Sequence, residues 1–173
     1  MTTSEDTART EPSGLAAERE MLEGWLEYHR ATLALKCRGL DDEQLRQAAV
    51  PPSELSLLGL VRHMAEVERG WFRRTLAGEE AAPIYYTEAD RDGEFHLTAD
   101  DTWQEAYGTW QAEIEHARRL AAGHALDDAA ARPYRAGRSC NLRWIYTHMI
   151  EEYARHNGHA DLLRERIDGS TGY

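Results

Sequence analysis

The sequence has few residues of several types, and each shortage argues against a class of protein. There are only two cysteines, Cys37 and Cys140, and they form no CxxC pair. This pattern favours a reducing cytoplasm over a disulfide-stapled secreted domain. No apolar run approaches the roughly 18 residues that a membrane span needs. The polar N-terminus also lacks the apolar stretch of a signal peptide.

Positive charge is also scarce. The 173 residues include 20 lysines and arginines against 31 acidic residues, which gives a formal net charge of -11. Such an acidic surface would repel phosphates, so we expect no nucleic-acid partner and no docking on anionic membranes. The length is that of one domain with a sizeable core.

Helical periodicity is the main pattern of the sequence after its first 14 residues. Residues 1–14 mix small polar residues, acids and proline without periodicity, and we predict a disordered tail there. Residues 15–173 then form a single domain. Leucines recur at helical spacing over 15–37, which predicts a long amphipathic helix. A short helical turn is predicted within 41–49.

Three further helices are predicted from apolar stripes and capping residues. The second begins near Ser56 and runs to Leu76, and Ser53 or Ser56 can cap it. The third begins at Thr98 or Asp100 and ends at Gly123, and the fourth runs from Ser139 or Asn141 to about Ile167. Long connections separate the second, third and fourth helices, over residues 78–97 and 124–140. The prediction is an all-α four-helix bundle, with the tryptophans mostly in its core.

The fourth predicted helix contains the most informative break in pattern. Its apolar stripe of Leu142, Ile145 and Met149 continues to positions 152 and 156, but these are Glu152 and His156. Residues four apart lie on one helix face, so we expect this pair to point into the bundle. A carboxylate in an apolar environment is costly unless it is paired or bound to metal.

A third residue completes a possible metal site. On the second predicted helix, His63 flanks the apolar stripe and can also face inward. One histidine from this helix, with Glu152 and His156, makes a His2Glu set that suits Zn²⁺ with an open fourth position. Nickel, iron and copper also accept imidazole, so the ligand types leave the metal open.

Other interpretations of these residues stay open. Glu152 could form a salt bridge with Arg143 or Arg62, and a lone inward histidine is often a hydrogen-bonded core residue. His148 lies four residues before Glu152, and His159 follows the second histidine of the set by three, so either could replace a ligand.

A cysteine nucleophile has less support. Cys37 lies on the apolar stripe of the first helix, where a thiol is usually inert. Cys140 lies near the start of the fourth helix, where the helix dipole could lower the pKa of its thiol, but no base is evident. No GxSxG, HExxH, P-loop or GxGxxG motif is present.

Two segments resemble a known superfamily. LSLLGLVRHMAEVERGWFRR and NLRWIYTHMIEEYARHNGHADLLRERIDG are similar to the two signature helices of the DinB-like superfamily, in particular of its actinobacterial branch. The resemblance spans residues 15–167. It implies a metal-binding four-helix bundle, commonly a homodimer.

The resemblance also implies a ligand set. Many relatives bind metal through three histidines, one on the second helix and two at i,i+4 on the fourth. His63 and His156 match two of these positions, and Glu152 departs from the third. The same His, Glu, His set occurs in the related mycothiol-dependent maleylpyruvate isomerases. Glu66, three residues after His63, is a further candidate to orient it or act as a base.

The function that the resemblance implies is that of a cytoplasmic, metal-dependent S-transferase. A zinc ion, or nickel or iron, would activate a small thiol such as mycothiol for attack on a small electrophile. Arg135 and Arg138, in a connection expected to wall the cleft, could bind a carboxylate. Two alternatives remain: a metal-dependent hydrolase, and a non-enzymatic metal- or ligand-binding bundle.

Overall fold

The computed structural model describes residues 9–172, and its architecture is all-α. The predicted disordered tail lies partly outside this range, at residues 1–8. In the rest of the tail, the guanidinium of Arg9 lies 4.9 Å from the ring centroid of Tyr28, and Pro12 lies against Gly24. The helices are α1 (Glu18–Cys37), α2 (Asp42–Arg46), α3 (Leu57–Glu68), α4 (Trp103–Ala122) and α5 (Leu142–Asp168).

Side-chain caps fix where the main helices begin. The Ser56 hydroxyl accepts a hydrogen bond from the Gly59 amide at 3.1 Å, and the Asn141 side chain accepts one from the Trp144 amide at 2.9 Å. Of the alternatives that the sequence offers, the caps are therefore Ser56 and not Ser53, and Asn141 and not Ser139. Each satisfies an orphan amide of the first turn. The prediction for α4 is wrong by a few residues, because Thr102 is its cap.

The second predicted helix changes its winding along its length. It is α-helical to Glu68 and then π-helical over Arg69–Leu76. The wider π turn is uncommon and occurs often near functional sites. Here it carries Trp71 to the side of α5 that also holds Trp144 and His148.

Apolar residues from every helix form one core. α1 packs mainly against α5, and α3 mainly against α4. Fully buried side chains include Leu26, Leu33, Leu60, Met64 and Ile114. Within residues 9–172, no helix is both long and apolar enough to cross a membrane.

A chain of polar side chains, which we call the central network, crosses this core. Arg30 donates two hydrogen bonds to Glu68, at 2.8 and 2.7 Å. The Tyr153 hydroxyl donates to the same carboxylate at 2.7 Å, and the Trp110 indole donates to that hydroxyl at 2.8 Å. These four buried residues come from α1, α3, α5 and α4, so the network joins all four long helices.

Candidate metal centre

The face of α5 that carries Glu152 and His156 lies at the edge of the core. The buried stripe of this helix continues from Met149 through Tyr153 to Ala160. The predicted pair flanks that stripe, and the side chains are 23% and 12% exposed. The expectation that they point into the bundle is met only in part: the pair lies beside His63 of α3 and is partly exposed, and we call the space between the pair and α3 the cleft.

His63 on α3 lies on the other side of this cleft. One ligand atom from each of His63, Glu152 and His156 lies within 4.8 Å of the others. The two imidazole centroids are 4.7 Å apart, and the His63 side chain is 22% exposed. The structure therefore brings together the three residues singled out as metal ligands, and we call them the His/Glu centre.

Each residue of the His/Glu centre has a partner on its outer side. His63 Nδ1 lies 3.1 Å from Glu94 Oε1, and His156 Nδ1 lies 3.3 Å from His159 Nδ1. Glu152 Oε1 lies 3.3 Å from His148 Nε2. Outer partners of this kind hold ligating side chains in position around a metal.

The nitrogen and oxygen atoms that can still bind a metal lie close together. Glu152 Oε2 lies 3.5 Å from His156 Nε2. Because Nδ1 of His63 is hydrogen-bonded to Glu94, Nε2 is the nitrogen of His63 that remains for a metal. Two imidazole nitrogens and one carboxylate oxygen form a common donor set for Zn²⁺. The residues present therefore fit a divalent metal ion.

The electrostatics favour the metal-binding protonation states of Glu152 and His63. Hydrogen bonds from His148 and His156 hold the pKa of the Glu152 carboxyl far below its usual range. Burial lowers the pKa of His63, which outweighs the opposite effect of the hydrogen bond to Glu94. Neutral imidazole and ionised carboxylate are the metal-binding forms of these side chains.

The carboxylates beside this cleft contact no lysine or arginine in the part of the chain that the structure describes. Within residues 9–172, the recorded polar partners of Glu94 and Glu152 are histidines only. The salt bridges considered for Glu152 are absent from the described structure, because Arg143 pairs with Glu18 and Asp127 and Arg62 with Asp101. A divalent cation would supply the missing charge.

His148 links the His/Glu centre to a cluster of aromatic rings. Its ring stacks on Trp144 at 5.1 Å between centroids and meets Trp71 edge-on at 4.4 Å. Tyr134, from the connection between α4 and α5, stacks on the opposite side of this group, 4.6 Å from Trp144. His148 also forms a second possible metal-binding group with Glu151 and Glu152.

The tryptophans are less buried than the sequence suggests. Trp110 is fully buried, whereas Trp144 is 38% exposed beside the cleft. Both long connections reach this region, through Phe95 and Tyr134. Arg135 and Arg138 are exposed, and the Arg138 guanidinium lies 5.9 Å from the Tyr134 ring.

Two further sequence-based ideas are wrong. Glu66 does not hold His63: its carboxylate accepts hydrogen bonds from the Ile84 and Tyr85 amides, the latter at 2.7 Å, and so anchors the connection after the π-helix. The thiol of Cys140 is not activated by the helix dipole, because burial raises its pKa. Burial also raises the pKa of the Cys37 thiol, to about 12.

Sequence reasoning missed Glu94 and Phe95. Phe95 stacks on His63 with 5.3 Å between centroids, and Glu94 is buried behind the same imidazole. Both lie in the unpatterned connection 78–97, and the local sequence contains no motif that distinguishes Glu94 from other loop acids. The one signal nearby is Gly93, where a Cβ atom would lie 2.5 Å from the Tyr85 carbonyl oxygen.

Comparison with known families finds a match over most of the chain. The family model described as mycothiol-S-transferase covers residues 21–169, which agrees with the DinB-like resemblance. No curated protein matches the chain.

Proposed function

The chain belongs to the mycothiol-S-transferase family, and from that premise we propose that it is a metal-dependent S-transferase. In this proposal His63, Glu152 and His156 hold one divalent ion, most simply zinc. The co-substrate is a low-molecular-weight thiol such as mycothiol, and the second substrate is a small electrophile. A cytoplasmic location and a homodimer belong to the same proposal.

The observation that carries the proposal is the convergence of donor atoms beside carboxylates that, within residues 9–172, contact no lysine or arginine. Glu152 and Glu94 lie at a partly buried cleft with imidazoles as their recorded partners. A partly buried carboxylate is usually paired with a cation or bound to a metal. A divalent ion would balance the charge of these carboxylates, and the three donor atoms within 4.8 Å of one another give it a place to bind.

The chemistry follows from this donor set. A bound divalent ion lowers the pKa of a thiol that shares its site, so that thiolate forms near neutral pH. The chain contributes two neutral imidazoles and one carboxylate, held in place by their outer partners. The thiol proton would pass to solvent, and the sulfur would form a bond to carbon of the electrophile while the leaving group takes the electron pair of the bond that breaks.

The test begins with metal content. Wild-type protein and a Glu152→Ala variant, both freed of column nickel, are analysed by mass spectrometry for bound metal. We expect about one ion per chain in the wild type and little in the variant. Loss of an electrophile that requires both metal and mycothiol then tests the transfer itself.

The controls separate the other functions. Glu115→Ala changes an exposed acid on α4 that pairs with Arg118 and Arg119, and it should keep its metal. Turnover of an ester or amide without thiol would indicate a hydrolase instead. Metal binding with no thiol-dependent reaction and no mycothiol binding would leave a metal-binding bundle.

A further inference from the structure

We propose that Glu94 is a positioning residue that fixes the tautomer and orientation of His63, so that His63 Nε2 faces the His/Glu centre. The role of Glu94 in catalysis rests on the proposed function. The inference itself depends on contacts that can be tested without thiol or electrophile. It also assigns a role to a residue in a connection that sequence patterns leave uninterpreted.

Glu94 is an unusual carboxylate for a loop. Its residue exposure is only 7%, and His63 is its recorded polar partner within the described chain, at 3.1 Å. Its second oxygen, Oε2, is buried without a hydrogen-bond partner. Such a group costs free energy, so its presence calls for a reason beyond folding.

The geometry provides that reason. A carboxylate that faces Nδ1 accepts a hydrogen bond only if the proton is on that nitrogen. A neutral His63 then carries its lone pair on Nε2, the nitrogen that can ligate a metal in the cleft. Carboxylate–histidine–metal chains of this kind fix the ring and increase the basicity of the ligand.

The surrounding loop is built to hold Glu94 in place. Arg62 donates a hydrogen bond to the Gly93 carbonyl at 3.2 Å, and the Phe95 amide donates to the Asp92 carbonyl at 2.8 Å. No larger residue fits at position 93, since its Cβ would collide with the Tyr85 carbonyl oxygen. The loop therefore presents Glu94 in one position.

Phe95 packs against one face of the His63 imidazole. Its ring is stacked on His63 at an interplanar angle of 28°. This approach needs a small residue on α3 one turn earlier, where a Cβ on Gly59 would lie 3.1 Å from the Phe95 ring. The imidazole is thus held at its edge by Glu94 and on one face by Phe95.

The first test reads the tautomer directly in metal-free protein. In ¹⁵N-histidine NMR spectra, with the His63 signals assigned by a His63→Ala variant, we expect the Nδ1–H form in the wild type. Glu94→Gln keeps an acceptor oxygen and should keep that form, whereas Glu94→Ala should lose it. An Nε2–H form in the wild type, or no change in Glu94→Ala, would overturn the inference.

The second test measures zinc affinity by competition with a chelator. Glu94→Ala should raise the zinc dissociation constant about 10–100-fold, and Glu94→Gln should raise it less. The matched control is Glu113→Gln, because Glu113 is also buried with one unpartnered oxygen but pairs with Arg69 and Arg73. Zinc affinity should not change in this control.

The outcomes separate this inference from the proposed function. Tight zinc binding in the wild type with equal affinity in both Glu94 variants would overturn the role of Glu94 and leave the S-transferase proposal intact. Zinc binding weakened by Glu94→Ala, in a protein that shows no thiol transfer, would support the positioning role while the proposed function failed. Absence of zinc binding in the wild type would overturn both.

Discussion

Two clusters of polar side chains in this bundle differ in how their charges are balanced. In the central network, Glu68 is fully buried and receives two hydrogen bonds from the Arg30 guanidinium. At the His/Glu centre, the carboxylates of Glu94 and Glu152 have histidines as their recorded partners. Among the described residues, the first cluster contains a guanidinium and the second contains neither lysine nor arginine.

The difference separates a structural role from a binding role. A buried ion pair with every oxygen satisfied is complete as folded, and it joins the helices that supply it. A cluster of converging donors without a counter-charge becomes complete only when a cation binds. We therefore expect substitutions in the central network to change stability at any metal concentration, and substitutions in the His/Glu centre to change only the response to metal.

The largest effect is expected in the central network. Glu68→Ala leaves the buried Arg30 guanidinium without its main partner, so the free energy of unfolding should fall by about 3–5 kcal/mol. Urea titration should give the same loss with and without zinc. The exposed Glu115→Ala serves as control, with an expected change below about 1 kcal/mol. A similarly small loss for Glu68→Ala would remove the contrast between the clusters.

Glu152→Ala should change the stabilisation by zinc and not the stability of the metal-free protein. Zinc at about 100 times its dissociation constant should stabilise the wild type by about 2.7 kcal/mol, and this gain should disappear in the variant. Thermal unfolding with and without zinc measures it. Glu115→Ala should keep the gain, since its exposed side chain lies on α4 and pairs with Arg118 and Arg119. Equal stabilisation of Glu152→Ala by zinc would show that the metal binds elsewhere.

A smaller effect is expected where the aromatic cluster meets the His/Glu centre. His148→Phe keeps a ring against Trp144 but removes the partner of Glu152 Oε1. The zinc dissociation constant should rise about tenfold, as measured by chelator competition. Trp144→Phe alters the stack and keeps that partner, so its zinc affinity should match the wild type. The reverse ranking would assign the effect to the aromatic packing.

The smallest expected signal concerns the thiols of the chain itself. Burial raises the pKa of Cys37 to about 12 and also raises that of Cys140, and thiolate forms only as the pH rises through these raised values. A chromogenic disulfide at pH 8 should therefore modify neither cysteine in the folded protein and both in denaturant. Rapid reaction of one cysteine in the folded protein would show that the chain has a nucleophilic thiol of its own, which could compete with the small thiol of the proposed function.

Much of the fold was predictable from local sequence. Ser56 and Asn141 mark helix starts because each caps a first turn within three residues. The i,i+4 spacing of Glu152 and His156 places them on one face by helix geometry alone. The bundle and the family match agree with these local patterns.

The outer partners were not predictable in this way. Glu94 reaches His63 across 31 positions of sequence, through a connection without periodicity. The charge at Glu66 looked equally suited to that role, but its carboxylate binds loop amides instead. Loop paths depend on many weak contacts, so sequence spacing gives no ranking between such acids.

The sequence by itself determined the helices, the acidic surface and the pairing of Glu152 with His156, because these depend on composition and on residues within a few turns. The tertiary structure decided that His63 meets that pair, that Glu94 lies behind it, and that Arg30 neutralises Glu68 while the recorded contacts of Glu152 include no arginine. Those outcomes depend on how helices far apart in sequence pack, which local periodicity does not specify.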